Sequence, residues 1–151
     1  MKQIFYILII FLIQSCSVML PLKDLPKPDG EFIVGTDIMI LEDINRFEYF
    51  TEDENDLRKI VLQVWYPAIA KNDSIYPYLD YQHIRIPFIA KRLGVSEKII
   101  EHISGVQANS YYKARHVNKE FPIIIFSHGL GGNRTQNTAN IESLASNGYI
   151  V

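Results

Sequence analysis

The chain has 151 residues, enough for one ordinary domain with a real core. Its 48% hydrophobic and 21% charged residues make a globular composition, and a formal net charge of −2 gives nucleic acid no footing as a partner. The single cysteine excludes an internal disulfide and a cysteine-rich metal site.

The amino terminus reads as a targeting segment. Lys2 is followed by an unbroken apolar run from Ile4 to Ile13. The run falls short of the roughly 20 residues that a spanning helix needs and fits the apolar region of a secretory signal. Ile13-Gln-Ser-Cys16 comes next. It resembles the lipobox of bacterial lipoproteins, although Gln14 is an unusual occupant. The resemblance implies cleavage before Cys16, a signal peptide over 1–15, and a lipid on Cys16 that anchors the exported protein to the cell envelope, at the outer membrane. An ordinary secretory signal is the alternative. Residues 16–34 read as a tether, broken by Pro21, Pro26, Pro28 and Gly30 and solvated by alternating lysines and aspartates.

The folded part is expected over 35–151. Asp37 to Leu41 reads as a strand, Asp43 to Asp56 as a loop or long hairpin connection, and Lys59 to Tyr66 as a second strand ended by Pro67. Two antiparallel strands at the edge of a larger sheet satisfy this pattern. Between Ala68 and Glu120, Pro87 to Leu93 and Ser96 to Ser104 read as helices, with Gly94 and Gly105 as stop signals. Their aliphatic residues suit packing over the sheet, or else a patch that meets lipid.

Ile123 to Phe126 is a continuous β-favouring run that suits a strand covered on both faces. His128, Gly129, Leu130, Gly131 and Gly132 follow as a glycine loop whose N–H groups are left uncovered. Thr135 to Asn147 reads as an amphipathic helix with Gly148 just past its end, and Tyr149-Ile150-Val151 opens another apolar run. A natural terminus there would leave backbone groups without partners, so the expectation is an amino-terminal fragment, or a chain broken by a frameshift or early stop.

This order of elements resembles the opening of an α/β-hydrolase, and the expected class is α/β: an antiparallel edge hairpin, then parallel strands with helices, incomplete. Three segments narrow it: RKIVLQVWYP (Arg58 to Pro67), FPIIIFSHGLGGNRTQN (Phe121 to Asn137) and LASNGYIV (Leu144 to Val151). Together they resemble the platelet-activating factor acetylhydrolase family of the secreted group VII phospholipase A2 type. The resemblance implies a serine esterase that removes short or oxidised sn-2 acyl groups from phospholipids, with a histidine base oriented by an aspartate and with no cofactor or metal. It implies that the Leu130 backbone N–H is one oxyanion-hole donor, with His128, Gly129, Gly131 and Gly132 shaping the loop. The implied partners are a phospholipid or small ester and, through Cys16, a membrane surface. The chain contains no G-x-S-x-G, so the nucleophile of that mechanism is not in it, nor are the acid and base that follow it in order.

Other residues are set aside. Ser127 and His128 are adjacent on a strand and point to opposite faces, so they form no dyad. His83, His102 and His116 lack metal-ligand spacing. Glu52, Asp53, Glu54 and Asp56 read as a solvated loop, and Arg134 as a surface residue with anionic head-group contact as the alternative. Two further function classes stay open: a general carboxylesterase or lipase of the same fold, and a non-enzymatic envelope lipoprotein or inactive product.

Overall fold

A computed structural model describes residues 22–151. The signal segment and Cys16 lie outside the described residues. Strand β1 (Ile33–Phe47) and strand β2 (Leu57–Ala68) form an antiparallel hairpin, in register from Ile33 opposite Ala68 to Asp43 opposite Arg58. Both carry the β-branched and aromatic residues that suit a pleated surface. β1 runs further than expected at both ends, into residues assigned by sequence to the tether and to the loop. Its outer end is held by the ladder itself and by Asp43, whose carboxylate accepts from Arg46 Nε at 2.6 Å. The connection shrinks to 48–56 and closes through Glu48 N–H donating to the Asp56 carbonyl at 2.8 Å.

The segment expected to be a helical insertion adds to the sheet. Strand β3 (Ile75–Pro77) precedes helix α1 (Gln82–Leu93), helix α2 (Glu97–Ile100) with a 3-10 turn over Glu101–Gly105, and strand β4 (Gln107–Tyr112). β4 pairs parallel to β1, placing Val34 opposite Ser110, and β3 pairs antiparallel to β4, so the strands lie in the order β2-β1-β4-β3. The hairpin therefore lies at one end of the four-stranded order, with β1 flanked by β2 and β4. β4 escaped the sequence reading because its inward positions are the small Ala108 and Ser110, which give no apolar alternation. α1 begins five residues before Pro87, because Tyr81 adopts φ 46 and its carbonyl accepts from Ile84 and Arg85 N–H. The expected second helix tightens after Ile100, where the Ser104 hydroxyl bonds back to the Glu101 carbonyl.

Beyond β2 the sheet continues through shorter pairings. Val151 and Trp65 exchange both backbone bonds at 2.9 and 3.0 Å, and Ile150 pairs parallel with Ile123. Helix α3 (Thr138–Ser146) lies over this sheet and buries Ile141 and Ala145 against Val34, Trp65 and Val151. Gly148 ends it at φ 90, with its N–H on the Ala145 carbonyl and the Tyr149 N–H on the Leu144 carbonyl. This pair of bonds satisfies two orphan carbonyls and turns the chain back toward β2. The residues before β1 are tied to the same helix end: Gly30 and Phe32 N–H donate to Ser146, and Asp29 accepts from Ser143 Oγ at 2.6 Å.

The strand expected to be covered on both faces is a correction. Ile123 is 71% exposed and Ile125 is 91% exposed. Among the described residues this run pairs on one side only, through Ile150, and no helix covers it. The architecture is α/β, a mixed sheet with helices, as the sequence implies.

Candidate active site

The glycine loop follows, after Ser127, an exposed extended run that pairs through the isolated bridge at Ile123. Gly129 to Gly132 form a tight turn closed by Gly132 N–H donating to the Gly129 carbonyl at 2.8 Å. Gly131 takes φ 83, the left-handed value that the third position of a type II turn requires. Leu130 is therefore the second residue of the turn. Its side chain is fully exposed, and its N–H meets no acceptor among the described residues. A two-residue corner of this kind presents central N–H groups outward, which is what an oxyanion donor needs. His128 Nδ1 lies 3.0 Å from the Gly129 carbonyl oxygen, close enough to donate to it in the Nδ1-protonated form.

What holds the turn was not read from the sequence. The Asp80 carboxylate, on the segment between β3 and α1, accepts from Arg134 through both terminal nitrogens, from Arg85 Nη1 at 2.6 Å and from the Tyr76 hydroxyl at 2.8 Å. Arg85 Nη2 then donates to Asn133 Oδ1 and Thr135 Oγ1 at 3.2 and 3.1 Å. Asn133 Oδ1 also accepts from the Thr135 N–H and hydroxyl, so the exit of the glycine turn and the entry to α3 are fixed together. The Asp80 side chain is 8% exposed and that of Arg134 is 19% exposed. Arg134 is thus a partly buried structural cation paired with Asp80, not the surface residue expected. Burial pushes the Asp80 carboxyl upward, but Tyr76, Arg134 and Arg85 outweigh it and hold the group below its ordinary value. Burial, then the bond to Asp80, raises the Tyr76 hydroxyl well above its usual range.

A second buried carboxylate, Glu142, was hidden on the apolar face of α3. Its Oε1 accepts from Asn109 N–H at 2.8 Å and its Oε2 from Asn109 Nδ2 at 3.1 Å, which pins α3 to β4. Burial pushes its carboxyl above the ordinary value, and the Ser110 and Asn109 groups beside it offset only part of this.

The remaining expected residues stay apart from the turn. His102 and His116 make local contacts with backbone carbonyls of Ile99 and Val117. Among the described residues no group of three or more His, Cys, Asp or Glu converges to hold a metal.

The sequence pattern of the family "Platelet-activating factor acetylhydrolase, isoform II" matches residues 18–151. Among solved structures, a ferulic acid esterase from Streptomyces cinnamoneus is similar, with a TM-score of 0.68 at 26% sequence identity. The match covers 85% of this chain and 35% of that one, so the chain spans about a third of the esterase's length. No curated protein matches the chain. The sheet is that of an α/β-hydrolase in part, and the chain belongs to the platelet-activating factor acetylhydrolase, isoform II, family.

Proposed function

We propose that this chain supplies the oxyanion side of a serine ester hydrolase that removes short or oxidised sn-2 acyl groups from phospholipids. The observation that carries the reading is the unpaired Leu130 N–H at the corner of the Gly129–Gly132 turn. In the reaction a serine oxygen adds to the ester carbonyl, and its proton passes to a histidine base. The carbonyl oxygen takes the negative charge and settles on the Leu130 N–H and one further donor. Collapse expels the lysolipid alcohol, protonated by the same histidine, and water releases the acyl group by the same steps. No side chain of this chain is the nucleophile. A lipid on Cys16 would hold the site at a membrane surface, where its substrate lies.

Likeness to a ferulic acid esterase favours a second reading, a general carboxylesterase. The test is substrate preference in the whole protein. An sn-2 acetyl phospholipid should be hydrolysed at least about tenfold faster than its long-chain counterpart and than an aryl ester. Preference for the aryl ester would select the second reading, and no organophosphate-sensitive turnover at all would select a non-enzymatic lipoprotein. The 151 residues alone are expected to hydrolyse a short-chain nitrophenyl ester no faster than buffer.

A further inference from the structure

Three arginines surround the glycine turn. Asp80 takes two of them, Arg85 and Arg134. The third, Arg92, comes from the last turn of α1 and is exposed, with no carboxylate partner among the described residues. Its guanidinium lies against Gly131: a Cβ there would overlap Nη2 and come within 2.9 Å of Cζ. A side chain at 131 would displace the guanidinium from this position, and φ 83 is what asks for glycine there.

We propose that Arg92 is the head-group residue of this site, holding the phosphodiester of a glycerophospholipid while the sn-2 ester lies against the Leu130 N–H. The inference rests on the ester-hydrolase reading above. In such a lipid only one glycerol carbon and one oxygen separate phosphorus from the carbon that bears the sn-2 ester. A cation that reads the phosphate must therefore sit within about one residue of the oxyanion donor. Arg92 covers Gly131, the residue next to Leu130. Its planar fork matches two oxygens of one phosphate, which an ammonium cannot do. Arg85 and Arg134 cannot serve, because releasing either would leave Asp80 buried and underpaired.

The test needs no turnover. The isotope-labelled whole protein is titrated with glycerophosphocholine, inorganic phosphate and glycerol, and the Leu130 and Gly131 amide signals are followed. Glycerophosphocholine should move both signals saturably, inorganic phosphate more weakly and glycerol not at all. Arg92→Gln should weaken that binding about tenfold or more, the scale of hydrogen bonds to a charged group, and Arg92→Lys should restore part of it. Absence of a response in the wild type, an equal response in Arg92→Gln, or tighter binding of free phosphate than of glycerophosphocholine would each overturn the assignment. Because Arg92 is exposed, an unchanged thermal midpoint separates these outcomes from misfolding. In turnover, Arg92→Gln should lower kcat/KM for the acetyl phospholipid relative to that for glycerol triacetate. A protein that binds glycerophosphocholine through Arg92 yet hydrolyses neither ester would refute the hydrolase reading and leave this one standing.

Discussion

Arg134 embraces the Asp80 carboxylate through both of its terminal nitrogens, across 54 positions of sequence. The pair joins the segment before α1 to the residues just after the glycine turn. It makes the shape of the glycine turn depend on a part of the chain that, in sequence, looks like decoration.

Asp80→Asn is therefore expected to cost about 3 kcal/mol of stability, because it leaves two largely buried guanidiniums facing a neutral group. Urea denaturation measures this. Hydrogen exchange at Leu130 and Gly131 should quicken more than at Trp65. Replacing Asp80 and Arg134 together with apolar residues of similar size should cost less than Asp80→Asn alone, and a larger loss in the double variant would contradict the account.

Leu130→Pro removes the proposed donor while leaving the turn bond between Gly132 and Gly129 intact, since proline is well accepted at the second position of a type II turn. In the whole protein kcat/KM for a short ester should fall about 100-fold or more, the usual effect of losing one oxyanion donor. Leu130→Ala keeps the N–H and should lose far less. Equal losses in the two variants would assign the effect to the side chain.

The two buried carboxylates set opposite pH dependences. Asp80 has a lowered folded-state value, so its stabilisation is complete above its unfolded value near 3.8 and is lost as pH falls through the folded value. Glu142 has a raised one, so the fold loses stability as pH rises from its unfolded value near 4.5 up through the folded value. Urea midpoints measured against pH should show wild type losing ground to Glu142→Gln as pH rises above about 4.5. The advantage of wild type over Asp80→Asn should shrink as pH falls below about 4.

Under the proposed lipid anchor, Cys16→Ser should shift the protein from the membrane fraction to the soluble one, because serine offers no thiol for the lipid. Unchanged partitioning would refute the lipobox reading.

Much of the frame could be read from residues that act locally. Ile38 and Ile40, then Leu62, Val64 and Tyr66, announce β1 and β2 by alternation, and Gly148 marks the end of α3 because that turn needs a positive φ. Gly131 marks the glycine turn for the same reason. What escaped depends on partners far away in the chain. β4 shows itself only once Ala108 and Ser110 are packed beneath α3 and beside β1, and Asp80 has no meaning until Arg134 arrives. Glu142 drew no reading from the sequence, because periodicity cannot foresee that Asn109 will receive it.

Trp65 is the chain's only tryptophan, and it is 4% exposed under Ile141, with its backbone bonded to Val151. Its indole is thereby a built-in optical gauge of one event, the closing of α3 and the terminal residues over the hairpin. Blue-shifted emission would report that the lid of the sheet is shut, and a shift to longer wavelength that it has lifted, without any label added to the protein.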